Sequence, residues 1–300
     1  MKLVAYALTF VVLCCITSSF VSSEGGLLQT VKLRFFHDNI TSYADYDLNS
    51  SSLISHPKFE LKRPTVIYIP GWNTNNTDSE TFVHIITAYL QRNDHNILVL
   101  NYEKLSQEFY GFIVARIPKI GKRLALALRD LYSKGLDHSR IHMIGYSLGA
   151  PIAAEAGRAL QNLSYIIPRI TGLDPALPFY GNNMHAELNK NDAKFVDIIH
   201  TDAGVYGINR SVGHADFYPN GGRRPQPACG AVLWQKLSLL FGRCPHYVSA
   251  HFYGQSVASK EKIFVGINRF NSSDTAPMGF HCPTTASGDY DLRANWTTIN

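Results

Sequence analysis

One serine of the chain stands in a context in which serine hydroxyls act as nucleophiles. Ser147 is the middle residue of the stretch GYSLG (145–149), directly after the apolar run IHMIGY and directly before an alanine-rich segment. In a nucleophile elbow the serine occupies a sharp strand-to-helix turn, and small residues two positions before and after it prevent collisions. The pattern alone is weak evidence in a chain with 22 glycines. An ordinary glycine-rich turn is the alternative.

A serine hydroxyl needs a base and a carboxylate before it attacks an ester. The base takes the proton of the hydroxyl, and the carboxylate orients the base. In hydrolases of α/β architecture the acid follows the serine along the chain, and the histidine follows the acid. Two acids stand at predicted strand ends beyond Ser147, Asp174 in TGLDPALP and Asp202 in IIHTDAG, and strand counting slightly favours Asp202. The residues alone do not choose among the histidines that follow, which are His185, His200, His214, His246, His251 and His281.

The segments around these residues alternate between strands and helices. Continuous apolar runs predict strands at 65–72, 96–102, 141–146, 169–174 and 194–200. Helical spacing predicts helices over 117–133 and 150–161, and an earlier one opened by a capping box of Thr77 and Glu80, with Phe82, Ile85, Ile86 and Tyr89 on one face. Such an alternation indicates a mostly parallel sheet with helices on both faces, and Ser147 then lies at the carboxyl end of a central strand, where these sheets hold their active sites. We expect a single α/β domain over residues 24–300.

The first 23 residues have the features of a secretory signal peptide. Lys2 precedes an apolar run, and Val21 and Ser23 fit the small-residue positions of a cleavage site before Glu24. The run is short for a segment that spans a bilayer, so an uncleaved membrane anchor is the less favoured alternative. We therefore expect a secreted, extracellular protein without a transmembrane anchor.

Cysteine and asparagine usage agrees with secretion. Removal of the signal peptide leaves Cys229, Cys244 and Cys282, of which two should pair in an oxidising compartment. Seven glycosylation sequons occur, at Asn39, Asn49, Asn75, Asn162, Asn209, Asn271 and Asn295. The formal charge of +5 is modest and no run of lysine and arginine occurs, so we expect no nucleic-acid partner. The sequence does not indicate an oligomeric state.

Five motifs in a fixed order make the pattern specific. GYSLGA, TGLDPA, FVDIIHTD, GHADFYPNGG and CPHYVSAHFY together resemble the pancreatic lipase family of secreted lipases and phospholipases, and the match runs from about Val31 to Trp296. The resemblance implies an α/β-hydrolase fold. It also implies that Asp174, not Asp202, is the acid and that His246 is the histidine. A turn-capping aspartate and a surface-loop histidine are the alternatives.

The resemblance also implies an oxyanion hole made of two backbone N–H groups, those of Leu148 and Trp72. Each such donor is worth roughly 3 kcal/mol in comparable hydrolases. The chain departs from the family here, with Pro70-Gly71-Trp72 where His-Gly-aromatic is usual. Because the donor is a backbone group, the hole need not be lost. The proline nevertheless removes an imidazole that could support the turn.

The segment 230–243, GAVLWQKLSLLFGR, is bracketed by Cys229 and Cys244. In the family the bracketing cysteines flank a lid, which implies a disulfide here and a lid with the lipid-facing residues Leu233, Trp234, Leu237, Leu240 and Phe241. An ordinary core helix is the alternative.

The segment is short beside the lids of triacylglycerol lipases, and we expect no C-terminal lipid-binding domain after the catalytic domain. Both features resemble the secreted phospholipases A1, including venom and insect members, which cleave the sn-1 ester of glycerophospholipids. We therefore expect a phospholipase A1 that works at a phospholipid or neutral lipid interface. The alternatives are a triacylglycerol lipase and a non-catalytic lipid-binding or yolk-like storage protein on the same fold.

This chemistry requires no cofactor. Related enzymes bind a structural calcium near the segment before DAKFVDIIHTD, which here reads MHAELNKNDAKF. The segment keeps Asp192 but has Asn189 where a second carboxylate would strengthen binding, since calcium prefers several oxygen ligands and charged ones above all. We assign no metal site.

Overall fold

One large sheet forms the centre of the fold. The computed structural model describes residues 26–74, 79–177, 187–230 and 242–295, and in this part of the chain eleven strands join in a single sheet. The strands are β1 (Lys32–Phe36), β2 (Tyr43–Asp47), β3 (Thr65–Ile69), β4 (Asn96–Asn101), β5 (Ile141–Tyr146), β6 (Arg169–Leu173), β7 (Phe195–Ile199), β8 (Ala215–Pro219), β9 (Val265–Asn268), β10 (Thr275–Pro277) and β11 (Gly288–Leu292). The helices are α1 (Glu80–Arg92), α2 (Glu103–Ser106), α3 (Tyr110–Ser133), α4 (Gly149–Gln161) and α5 (Cys244–Ala258).

The interior of the sheet is parallel and its two edges are antiparallel. The strand order is β10-β9-β11-β8-β7-β6-β5-β3-β4-β1-β2. The run from β4 through β3, β5, β6, β7 and β8 to β11 pairs in parallel, whereas β1 and β2 at one edge and β9 and β10 at the other pair antiparallel. This arrangement confirms the predicted α/β-hydrolase fold. It places β5, which leads into Ser147, in the interior of the sheet.

Buried side chains alternate between the two faces of the sheet and meet different helices. Successive residues of a strand point to opposite faces. In β3, Ile67 and Ile69 belong to one core with residues of α3 and α4, whereas Val66 and Tyr68 belong to a second core with residues of α1 and α5. Every residue of β3 is therefore buried. Because both faces of the sheet are buried, the strands read as continuous apolar runs in the sequence.

Two helix boundaries differ from those predicted. Helix α1 begins at Glu80 after Ser79, so the predicted start at a capping box fails, and Thr77 itself lies outside the described residues. The predicted apolar face of this helix is confirmed, because Phe82, Ile85, Ile86 and Tyr89 are all buried.

Helix α3 begins at Tyr110, seven residues before the predicted start at 117, and it contains Pro118. A proline inside a helix removes one backbone hydrogen bond. Here buried Ile113 and Ile117 extend the packed face towards the N-terminus. We attribute the continuity of the helix across Pro118 to this packing.

No helix in the described part of the chain is long and apolar enough to cross a bilayer. The predicted signal peptide, 1–23, lies outside the described residues.

Candidate active site

Ser147 occupies a left-handed turn between β5 and α4. Its φ is 51°, a conformation that non-glycine residues adopt at a cost of about 1–3 kcal/mol. The turn is held at both of its backbone groups. The N–H of Ser147 donates to Leu173 O at the end of β6 (2.9 Å), and its carbonyl accepts from Ala150 N (3.1 Å) and Ala176 N (3.2 Å). The strained serine is thereby fixed to the neighbouring strand.

Close backbone contacts require the glycines on either side of the serine. A Cβ added at Gly149 would lie 1.9 Å from the carbonyl oxygen of Ile69, and one added at Gly145 would lie 2.5 Å from Ala150 Cα. Gly71, just after β3, approaches from a third side, because a Cβ there would meet Ser147 Cβ at 3.1 Å. The spacing of the motif therefore follows from how tightly α4 packs on the end of β3.

The structure brings Asp174 and His246 into direct contact. His246 Nδ1 lies 2.5 Å from Asp174 Oδ2. The other carboxylate oxygen, Oδ1, accepts hydrogen bonds from the backbone N–H groups of Thr201 (2.9 Å) and Asp202 (3.0 Å). Asp174 is fully buried. When the carboxylate accepts from Nδ1–H of a neutral imidazole, the other ring nitrogen, Nε2, is left with a lone pair that takes a proton.

Asp202, which strand counting slightly favoured, has a different partner. Its two carboxylate oxygens accept from Nε and an Nη of Arg224, both at 2.7 Å. Burial raises the pKa of Asp202, and the bond to Arg224 opposes that shift. Strand counting does not show which partner each aspartate has. The backbone N–H of Asp202 donates to Asp174 Oδ1, while the side chain of Asp202 binds Arg224.

The other described histidines that follow Ser147 in the chain have partners other than Asp174. His200 is fully buried and bonds Asp216 through Nε2 (2.8 Å), while His214 Nδ1 accepts from Val196 N (3.0 Å). His281 bonds the carbonyl of Ser259, and the ring of His251 contacts that of His84 at a centroid distance of 3.9 Å and an angle of 45°. His185 lies outside the described residues.

Ser147 and His246 line one cavity of about 240 Å³. Most of its wall is apolar and aromatic, and the aromatic residues are Trp72, Tyr110, Tyr146, Tyr206 and Tyr247. The rings of Tyr146 and Tyr206 flank the imidazole of His246 at centroid distances of 5.0 and 5.5 Å. The cavity is suited to a largely hydrocarbon ligand that presents one polar bond to the serine.

The two predicted oxyanion donors belong to peptide groups whose carbonyls are firmly held. The Gly71 carbonyl accepts from the hydroxyls of Tyr102 (3.1 Å) and Thr74 (2.8 Å). A trans peptide points its N–H away from its carbonyl, so these bonds fix the direction of the Trp72 N–H. The two bonds to the Ser147 carbonyl fix the Leu148 N–H in the same way. Within the described ranges, neither N–H has a hydrogen-bond acceptor.

Tyr102 was missed by sequence reasoning. Its buried hydroxyl lies 2.5 Å from the carbonyl oxygen of Pro70 and 3.1 Å from that of Gly71 and shares its one hydrogen between them, in the turn where the resemblance leads us to expect histidine and the chain has proline. One sequence feature could have indicated this role. Tyr102 is the last residue of the predicted strand 96–102, and the observed strand there is parallel to the strand that leads into the turn.

The disulfide implied by the resemblance is present, between Cys229 and Cys244. It holds the start of α5, which carries His246, to residue 229. Cys282 is a buried free thiol, and burial raises its pKa. The predicted lid residues, Leu233, Trp234, Leu237, Leu240 and Phe241, lie outside the described residues.

The sequon asparagines of the described chain are exposed, namely Asn39, Asn49, Asn162, Asn209, Asn271 and Asn295. Asn75 lies outside the described residues.

In the described part of the segment before β7, residues 187–194, the two acidic side chains already have other partners. Asp192 accepts from Arg158 (2.9 Å) and from the Asn189 N–H (2.8 Å), and Glu187 pairs with Arg210. Burial raises the pKa of Asp192 to about 6, which weakens its use as an anionic ligand. One buried oxygen of this set, Glu187 Oε1, has no hydrogen-bond partner in the described chain. Calcium takes 6–8 oxygen ligands, whereas the two acids of this described stretch are each paired with an arginine.

The sheet order and the turn after β5 define the chain as an α/β-hydrolase. The model of the lipase family matches residues 22–289, so the chain belongs to the lipase family. This confirms the resemblance that the five motifs carry.

Three relatives illustrate the match. Human pancreatic lipase-related protein 3 is 33% identical over 275 residues, which is 85% of this chain and 56% of that protein. The putative endothelial lipase of Crotalus adamanteus is 36% identical over 225 residues (70% and 44%). Phospholipase A1 member A of Bos taurus is 33% identical over 207 residues (69% and 44%). The chain spans about half the length of the curated relatives it matches.

Replacement of Gly149 by alanine tests the packing of the turn. Gly149→Ala should lower the free energy of unfolding by about 3 kcal/mol or more, because the new methyl group overlaps the backbone of β3. Gly26→Ala is the matched control, since a Cβ at Gly26 meets nothing within 4 Å, and its effect should stay within about 0.5 kcal/mol. Urea unfolding followed by circular dichroism measures both. Equal effects of the two substitutions would contradict the packing described here.

Proposed function

We propose that the chain hydrolyses ester bonds of lipids, with Ser147 as the nucleophile, His246 as the base and Asp174 as the group that orients it. One observation carries the proposal. His246 is bound through Nδ1 to a buried carboxylate, while its ring and Ser147 line the same apolar cavity. A serine fixed in a strained turn beside such an imidazole is the arrangement of a nucleophile and its base.

The reaction proceeds by acyl transfer. Ser147 Oγ attacks the ester carbonyl carbon as His246 Nε2 takes its proton, and Asp174 stabilises the resulting imidazolium. The tetrahedral intermediate then expels the alcohol, which receives the proton from Nε2, and an acyl-serine remains. Water attacks the acyl group, again with His246 as the base, and the second collapse releases the fatty acid and restores the serine hydroxyl.

The negative oxygen of both intermediates is to be stabilised by the N–H groups of Trp72 and Leu148. Supporting this role, the carbonyl of each of these two peptides is held by two hydrogen bonds, so each donor is oriented before the substrate arrives. We propose that the hydroxyls of Tyr102 and Thr74 support the turn where the family's histidine is missing. The substitution of proline therefore need not abolish activity.

We propose a glycerophospholipid, cleaved at the sn-1 ester, as the preferred substrate. Arg243 lies at the cavity, with its guanidinium 5.7 Å from the ring centroid of Trp72. A hydrogen bond with Tyr247 raises its pKa, so the guanidinium stays charged. A guanidinium suits a phosphodiester, whereas a triacylglycerol offers it no charge. The disulfide encloses a short segment, with a separation of 15 residues, which also supports this choice.

A triacylglycerol lipase is the second candidate. The observation in its favour is the aromatic, mostly apolar wall of the cavity, which accommodates acyl chains whatever the headgroup.

We further propose that the protein is secreted and glycosylated. The signal-peptide pattern, the disulfide and the exposed sequon asparagines support this.

The two neighbouring aspartates should respond differently to substitution. Asp174→Asn should lower kcat by about 10³–10⁴-fold, because an amide no longer holds the imidazole in the required tautomer. Asp202→Asn removes the partner of Arg224 and should lower the unfolding temperature, but its effect on kcat should stay below about tenfold. Ester hydrolysis and thermal unfolding of both variants make the comparison. A larger loss of kcat in Asp202→Asn would transfer the orienting role to Asp202.

The substrate proposal is tested with sn-1-labelled phosphatidylcholine and triolein in parallel emulsions. The wild type should release fatty acid mainly from the phospholipid, and Ser147→Ala should release none above background. Arg243→Gln should lower phospholipid hydrolysis by about tenfold, the loss of one charge-assisted hydrogen bond, and leave triolein hydrolysis nearly unchanged.

Release mainly from triolein would overturn the phospholipid preference and leave the serine mechanism intact. Equal inactivity of the wild type and Ser147→Ala on both lipids would support the non-catalytic lipid-binding protein instead.

A further inference from the structure

Two phenylalanines protrude beside the candidate active site. Phe109 is 70% exposed and Phe112 is 51% exposed, and their ring centroids lie 6.0 Å apart. We call this pair the aromatic tip. Large exposed aromatic side chains that lie together mark surfaces that bind an apolar partner.

The aromatic tip is continuous with the cavity. Tyr110, between the two phenylalanines in sequence, lines the cavity and packs edge-on against Trp72 at a centroid distance of 5.3 Å. The indole N–H of Trp72 donates to the carbonyl of Glu108 (2.9 Å), which fixes the residue that precedes the tip. Phe109 and Phe112 themselves do not line the cavity. A partner that binds the aromatic tip therefore lies next to the cavity that the substrate ester must enter.

A basic helix face leads away from the tip. Along α3, residues 112, 116, 119 and 123 follow the spacing of one helix face, and they are Phe112, Arg116, Lys119 and Arg123. Lys122 is exposed beside them. The sequence from 109 to 129 contains no aspartate or glutamate. The guanidinium of Arg116 lies 5.7 Å from the ring centroid of Phe112, so charge and aromatic surface adjoin.

We propose that the aromatic tip and the basic face of α3 dock the chain on an anionic phospholipid bilayer. The phenylalanines enter the headgroup region, the lysines and arginines contact lipid phosphates, and the cavity mouth is held against the lipid. An apolar edge with adjacent cations is the composition of surfaces that bind such bilayers. The purpose of this docking surface rests on the proposed hydrolysis, because docking brings the cavity to its lipid substrate. The binding of the chain to vesicles, however, can be measured without any hydrolysis.

The test uses the full chain with Ser147→Ala, so that vesicles are not degraded. Partition onto vesicles of phosphatidylcholine, with and without phosphatidylglycerol, is measured by flotation. Phe109→Ser/Phe112→Ser should lower partition by about tenfold or more. Lys119→Glu/Lys122→Glu should lower partition onto the anionic vesicles by about tenfold and reduce its dependence on salt.

Phe270→Ser is the matched control. Phe270 is 88% exposed and follows β9, near the opposite edge of the sheet from β1 and β2. The Phe270→Ser variant should bind vesicles as well as the chain that carries Ser147→Ala alone. Thermal unfolding of every variant shows whether the fold is retained. Equal partition of all variants with intact unfolding transitions would overturn the docking surface, as would an equally large loss in Phe270→Ser.

The two proposals fail in different ways. If chains with Ser147 bind vesicles through the tip yet release no fatty acid, the hydrolysis proposal falls and the docking surface stands. If they hydrolyse vesicle lipid equally well with and without the tip, the docking surface falls and the hydrolysis proposal stands. A short-chain soluble ester should be hydrolysed at the wild-type rate by the tip variants, because their cavity is unchanged.

Discussion

The candidate active site depends on close backbone contact between the end of one strand, β3, and the start of one helix, α4. The end of β3 runs so close to the start of α4 that only a glycine fits at 149, and the loop after β3 touches Ser147 through Gly71. This contact forces the sharp turn after β5 and places the serine in a left-handed conformation. It also brings the peptide of Trp72 to the side of the serine. The proposed nucleophile and both proposed oxyanion donors therefore share one cause, the packing of a helix N-terminus on a strand end.

The acid and the histidine are positioned by a second set of contacts. Asp174 follows β6, the neighbour of β5, and its carboxylate is held by two N–H groups from the chain after β7. His246 comes from α5, whose first residue is tied by a disulfide to Cys229. Parallel strands deliver Ser147 and Asp174 to one edge, and a distant helix adds His246. The aromatic tip adjoins the cavity at this edge through Tyr110, so one end of the sheet carries both the proposed chemistry and the proposed docking surface.

Much of this arrangement could be predicted from the sequence, and the reasons for success and failure are physical. The five predicted strands, β3 to β7, and the faces of α1 and α3 follow from apolar periodicity, because residues buried in a core recur with the period of the element. The start of α3 could not be predicted, because Pro118 suggests a boundary and only tertiary packing overrides it. Strand counting slightly favoured Asp202, because counting strands does not reveal which carboxylate an arginine already holds. Tyr102 directly follows β4, whereas the turn it supports follows β3, and such contacts between segments leave little local signal.

The central claim is that Ser147 is a nucleophile activated by His246 and Asp174. Reaction with an alkyl p-nitrophenyl phosphonate tests it most directly, since attack by the serine oxygen on phosphorus releases p-nitrophenolate and leaves a stable adduct. Peptide mass spectrometry should find that adduct on Ser147. The labelling rate should fall at least about a thousandfold in Asp174→Asn and in His246→Ala, because the proton then lacks an oriented base. An adduct on another residue, or an unchanged rate in both variants, would contradict the account.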